Sequence, residues 1–283
     1  MPNFAIVAGA RPNFMKIAPL MRALDQCDGC ETTLIHTGQH YDKNLSDVFF
    51  EELGIRRPDA HLDVGGGSHA EQTARVIERI APLLEQGMHP ESGGDGLDAL
   101  IVVGDVNSTM AATIAAAKLN LPVVHVEAGL RSNDRTMPEE INRIITDSVS
   151  DLLLVSEPTG VENLIREGHS EDQIRLVGNL MIDTLRGQLD RARKSAFLEK
   201  LGLQPGQYAA LTLHRPSNVD DAKVLGEIVD VLIDLGARLR LVFPVHPRTQ
   251  SRLETFGLLA KLDAVPQIHL VGPMGYQDFL SVT

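Results

Sequence analysis

The chain has 283 residues, of which 43% are apolar and 23% charged, the balance of a globular protein with room for two domains. Its net charge is −12 and no cluster of lysine and arginine stands out, so a nucleic-acid partner is not expected, whereas a small anion held by a few local donors is. No run of about 18 apolar residues exists to span a membrane, and two cysteines in so long a chain fit a reducing cytoplasm.

The first element is a buried strand, Phe4–Ala8, too short and too uncharged at its start for a secretion signal. It delivers the chain into GARPNFMK, residues 9–16, and a helix over Phe14–Leu24. This turn lacks the glycine spacing of a dinucleotide fingerprint, so no nicotinamide cofactor is indicated. It does put Arg11 and Lys16 near a helix N-terminus, where cations are normally out of place and an anion is favoured. Cys27 and Cys30 follow this helix in QCDGC; with no second pair for zinc and no helix N-terminus to favour a thiolate, they read as a surface turn.

Strands are then expected at Thr33–His36, Ala99–Val103, Val123–Val126, Leu152–Val155 and Ile174–Val177, with helices at Ala70–Leu84, Met110–Leu119 and Glu139–Val149. Beyond them lie a long helix over Leu180–Leu201, strands at Ala209–Leu213, Leu239–Val245 and Ile268–Val271, and a helix over Asp221–Leu235. Continuous Val/Ile/Leu runs alternating with helices predict parallel strands buried on both faces, an α/β doubly wound architecture. A boundary near Glu167–Asp172 divides it into domains 1–170 and 171–283. Two such domains facing each other would set their strand ends across one cleft, where ligands of these sheets bind.

The strand ends therefore carry the chemistry. Asp105 closes LIVVGD; the neighbouring Asn107 and Ser108 are explained as helix caps, and Asp105 is not. Glu127 closes Val123–Val126, and a carboxylate there needs a partner, for which Arg131 and Arg143 are on hand. Pro138, Glu139 and Glu140 suit a helix start, so the two glutamates have a structural explanation beside a catalytic one. Carboxylates gathered in one cleft with arginines to tune them make a proton-transfer device. His214, at the end of the strand in LTLHRPSN, can move a proton or meet a phosphate, and His246 in FPVHPR is placed alike. No metal-ligand spacing is present, and no metal or other cofactor is expected.

Taken together and in order, GARPNFMKIAPL, TGQHYD, GDVNST, HVEAGLRS, MPEEINR, VGNLMIDTL, LTLHRPSN and FPVHPR resemble the bacterial, non-hydrolysing UDP-N-acetylglucosamine 2-epimerases along nearly the whole chain. The resemblance implies two Rossmann-like domains of the glycosyltransferase-B type, a cytoplasmic homodimer, and interconversion of UDP-N-acetylglucosamine and UDP-N-acetylmannosamine for surface polysaccharides. It implies catalytic roles for Asp105, Glu127, Glu139 and His214, and substrate contacts from Arg11, Lys16, Arg143, Met274 and Phe279. Gln39, His40 and Arg75 match a second, regulatory nucleotide-sugar site. Asn13 stands where many members have glutamate, and the family continues past the segment matching LVGPMGYQDFLSVT, so the second domain is expected to be incomplete. A glycosyltransferase on the same architecture, or a silent nucleotide-sugar-binding module, is the rival reading.

Overall fold

The computed structural model describes residues 1–38, 50, 52–89 and 96–283, with the side chain of Arg11 excepted. By backbone contacts the chain divides into two units, Met1–Gly187 and Gln188–Thr283.

The first unit is built on a seven-stranded sheet, in the order β3-β2-β1-β4-β5-β6-β7, with each neighbouring pair parallel. The strands are β1 (Asn3–Ala8), β2 (Glu31–His36), β3 (Ala60–His61), β4 (Ala99–Val103), β5 (Val123–Ala128), β6 (Leu152–Val155) and β7 (Ile174–Leu176). β4 is buried at all five residues, as a strand covered on both faces must be. On one face, α2 (His69–Met88) packs Val76, Ile80 and Leu84 with the small residues of α3 (Asn107–Lys118), Ala111, Ala112, Ala115 and Ala116. α2 begins with a full capping box, Ser68 and Glu71 each satisfying the other's backbone. α1 (Arg11–Asp25) sinks Phe14, Ile17 and Met21. α4 (Pro138–Val149) and α5 (Pro158–Arg166) each open on a proline, which is preset for a first helical turn.

β1 and β4 are neighbours although α1, β2, β3 and α2 lie between them in sequence, so the order reverses between them. The turns that leave β1 and β4 open at that switch point, the place where ligands enter doubly wound sheets.

The second unit has a three-stranded parallel sheet, β10-β9-β8, from β8 (Tyr208–Ala210), β9 (Arg240–Pro244) and β10 (Ile268–Val271). Its helices include α8 (Pro216–Val219), α9 (Ala222–Gly236), α10 (Pro247–Thr255), α11 (Leu259–Asp263) and α12 (Tyr276–Val282), and α9 buries Leu225, Val229 and Leu232 against Leu241 and Phe243.

The division falls later than the expected boundary because β7 pairs with β6 and so belongs to the first sheet. The expected single helix over Leu180–Leu201 is two, α6 (Leu180–Ala192) and α7 (Phe197–Lys200). Ser195 breaks it: its hydroxyl accepts from the Phe197 amide at 3.1 Å, an alternative to helical pairing that serine readily offers. β8 ends three residues short of the expected Leu213. Cys27 and Cys30 are free thiols on a turn closed by the Cys30 amide on the Cys27 carbonyl at 3.1 Å.

Candidate active site

Glu127 leaves β5 in a way its sequence does not announce. Across β5 and β6 the register runs Val126 to Leu154 and then Ala128 to Val155, so Glu127 is an extra residue, a bulge. Its φ is +73°, the left-handed region, which costs a residue with a Cβ about 1–2 kcal/mol. Bulge and twist turn the carboxylate out of the strand alternation toward α1, where it forms an ion pair with Lys16. Both side chains are largely covered, at 14% and 18% exposure. The pair lines a small recess with Val103, Ser156, Gly178 and Asn179.

The strand next door ends beside it. Gly104, at φ +72°, follows β4, and a Cβ there would stand 3.1 Å from Lys16 Nζ and 3.3 Å from Glu127 Oε2. Asp105 comes next and is paired by Arg143 of α4 at 2.7 Å. Arg143 also holds Glu140 at 2.8 Å. Asn142 donates to the Asp105 carbonyl at 2.8 Å and to Asn107 Oδ1 at 3.2 Å, and Asn107 donates to Gln72 at 2.8 Å. One face of α4 thus fixes both the backbone and the side chain of Asp105.

Two expectations about charge are corrected. The partner of Glu127 is Lys16, neither Arg131 nor Arg143. Arg131 instead binds Asp147 at 2.7 Å and Glu167 at 2.6 Å. Glu139 and Glu140, alike in sequence, diverge. Glu139 is exposed, while Glu140 is buried and accepts from the amides of Ser132 and Asn133, both at 2.9 Å. Burial pushes the Glu140 carboxyl up, but the Ser132 amide, the Arg143 guanidinium and the Asn133 amide outweigh it and hold the group down at about 2. Glu140 ties the loop after Glu127 to α4.

Asn13 bonds to the backbone at the ends of β1 and β4. It is buried, accepts from the amides of Gly9 and Ala10 at 3.2 and 3.1 Å, and donates to the Val103 carbonyl at 2.8 Å. A carboxylate has no proton for that last bond. Arg75 spends its guanidinium on the carbonyls of Val64 and Gly66, at 2.6 and 3.0 Å. Gln39 and His40 lie outside the described residues, and of Arg11 only the backbone, at the first position of α1, is described.

In the second unit, His214 is exposed and its ring centre stands 6.1 Å from that of His246. His246 caps α10 (Pro247–Thr255), its Nδ1 accepting from the Arg248 amide at 3.2 Å. Met274 packs on the cluster of Leu203, Val242 and Val282. Phe279 is half-buried on α12 (Tyr276–Val282). Among the described residues, no group of three or more His, Cys, Asp or Glu is arranged to hold a metal, and no helix is long and apolar enough to cross a membrane.

Sequence reasoning passed over His125 and Asp147, both wholly buried in the network that holds Arg131. The signal was available for His125: an imidazole inside VVHV must find partners on a neighbouring element.

The family model described as UDP-N-acetylglucosamine 2-epimerase matches residues 22–283. The chain belongs to this family. It is 37% identical over 288 residues to a UDP-N-acetylglucosamine 2-epimerase of Methanococcus maripaludis, covering 100% of this chain and 75% of that one. It is equally, 37%, identical to a UDP-2,3-diacetamido-2,3-dideoxy-D-glucuronate 2-epimerase of Pseudomonas aeruginosa, covering 97% of this chain and 73% of that one. Among solved structures, that of the Methanocaldococcus jannaschii epimerase in complex with UDP-GlcNAc and UDP is similar, with a TM-score of 0.80 at 38% identity over 98% of this chain and 75% of that one. The fold is accordingly of the family's glycosyltransferase-B type, and its relatives run longer than this chain.

Proposed function

We propose that the protein interconverts UDP-N-acetylglucosamine and UDP-N-acetylmannosamine by loss and re-addition of UDP. C2 of the sugar is not adjacent to a carbonyl, so deprotonation to a carbanion is unfavourable. In the elimination, a base removes the C2 proton and the C1–O bond breaks. A C1=C2 double bond forms, and the electron pair of the broken bond leaves on the β-phosphate oxygen. Return of UDP to C1 with protonation of C2 from the other face gives the epimer. The sum is an isomerisation and consumes neither oxidant nor reductant.

Asp105, Glu127 and Glu139 share the acid and base work in this reading, as paired carboxylates do around the oxocarbenium-like centre of glycosidases. Lys16 and Arg11 stabilise the departing diphosphate; by the resemblance His214 is catalytic, and Met274 and Phe279 contact the uridine. Arg143 sets the direction of Asp105. By resemblance the working form is a homodimer in the cytoplasm. The observation that carries the proposal is Glu127: a carboxylate bulged out of a buried strand, in a left-handed backbone, against Lys16. Strain held at a strand end marks a functional position.

The equal kinship to the diacetamido-glucuronate epimerase favours one second reading, the same chemistry on a different UDP-sugar. Both sugars are therefore offered in deuterium oxide and followed by proton NMR. The expected result is inversion at C2 with deuterium at that carbon for the sugar accepted, and a rate about 10²–10⁴-fold lower for Glu127→Gln. Inverted product that retains its original C2 hydrogen rules out elimination; transfer of the sugar to an acceptor without inversion favours a glycosyltransferase.

A further inference from the structure

His125 lies in the middle of β5 and is wholly buried. Its Nε2 meets the Gly104 carbonyl oxygen at 2.9 Å, and its Nδ1 meets Asp147 Oδ1 at 2.6 Å. A carbonyl only accepts, so Nε2 carries a proton. On the other side, the second oxygen of Asp147 already accepts from the Gly129 amide at 3.1 Å and from Arg131 at 2.7 Å. An amide and a guanidinium on one oxygen favour the ionised carboxylate of Asp147. An ionised Asp147 has no proton to give, so Nδ1 must give one. The ring then carries both protons. The charges along the network alternate, Glu167 negative, Arg131 positive, Asp147 negative and His125 positive, and they cancel, which is what burial of so many ions requires.

Both ends of this network reach the strand ends that bear the candidate carboxylates. Nε2 holds the carbonyl of Gly104, the peptide that leads directly into Asp105. Asp147 holds the amide of Gly129, two residues after Glu127. Gly104 itself lies against Lys16 and Glu127, and Asp105, paired with Arg143, follows it in the chain.

We infer that His125 is a buried imidazolium that, locked by Asp147, is the positioning residue for the catalytic carboxylates Asp105 and Glu127; this rests on the epimerase reading. A charge-assisted hydrogen bond is roughly twice as strong as a neutral one, so it pins the Gly104–Asp105 peptide more firmly than a neutral ring can. Asp147→Asn separates charge from shape. An asparagine amide donates to Nδ1, its oxygen accepts from Gly129 and Arg131, Nε2 keeps its proton for Gly104, and the remaining Arg131 and Glu167 still cancel. The variant keeps each hydrogen bond and removes the charge.

The test is nitrogen-15 NMR of the histidine-labelled chain at pH 8, where a free imidazole, titrating at about 6.5, is neutral. His125, assigned by its loss in His125→Gln, is expected to show two protonated ring nitrogens. In Asp147→Asn it is expected to show one protonated and one imine-type nitrogen. Alongside, kcat of Asp147→Asn is expected to fall about tenfold with KM within about twofold, the pattern of an interaction felt only in the transition state. An imine-type nitrogen on His125 in the parent protein overturns the inference, as does an unchanged kcat in Asp147→Asn. If the parent protein epimerises neither sugar, the epimerase reading fails, and the positioning role with it, while the nitrogen spectrum still decides whether His125 is an imidazolium.

Discussion

Glu140 shows how little a residue's type reveals about its work. Beside it Glu139 faces solvent, yet Glu140 is buried and titrates at about 2 against an ordinary 4.5. A folded-state value below the unfolded one means stability that is complete above about 4.5 and drains away as the pH falls toward about 2. The shift corresponds to roughly 3 kcal/mol. Glu140→Gln is therefore expected to unfold more easily at neutral pH by up to about that amount, with the gap to the parent closing between about pH 4.5 and 2. Denaturant titrations at a series of pH values read it directly. The sequence left Glu139 and Glu140 balanced between helix-start and catalytic roles, because a helix N-terminus welcomes both and only the three-dimensional loop of Ser132 and Asn133 tells them apart. Lys16 was legible as a cation at the wrong end of a helix, but its partner was not, since Glu127 lies 111 residues away and in a bulge that no alternation pattern encodes.

At the scale of elements, the end of β4 is a close joint of the candidate site. Gly104 has a left-handed φ, and an added Cβ would press on both members of the Lys16–Glu127 pair. Gly104→Ala is expected to cost about 1–2 kcal/mol from backbone conformation alone and to displace that pair. Equilibrium unfolding checks the first, and loss of C2 exchange checks the second; a variant as stable as the parent would refute the account. Strands buried on both faces were the most readable parts of this chain, because β4 is an unbroken apolar run that only a covered sheet accommodates. Helices defined by packing were harder. α5 begins with Pro-Thr-Gly, in which Gly160 looks like a breaker, but that glycine is there for close contact: a Cβ on it would stand 2.6 Å from Val155 Cγ1 and 3.1 Å from the Ala128 carbonyl. Ser195, which divides the expected long helix, gave no stronger cue than any helical serine.

For the molecule as a whole, the α/β alternation was enough to foresee parallel sheets. The division at Gly187 was not foreseeable, since whether β7 joins the first sheet or the second is a matter of pairing and not of composition. The two units also differ in where they keep their ions. The first encloses Lys16–Glu127, His125–Asp147 and Arg131–Asp147, none with a side chain more than 18% exposed. The second spreads its pairs on the surface: Arg193–Asp190 at 74% and 89%, Lys223–Glu227 at 84% and 68%, and Lys261–Asp230 at 55% and 69%. Raising ionic strength from about 0.01 to 1 M shortens the reach of a charge in water from about 30 to 3 Å and barely touches one that water does not surround. Backbone amides of α9 are thus expected to exchange with deuterium at rates that follow added salt, while those of β4 and β5 do not. The strand ends proposed to do the chemistry would then keep their geometry across brines and dilute buffers alike, with the medium felt first at the margins of the smaller unit.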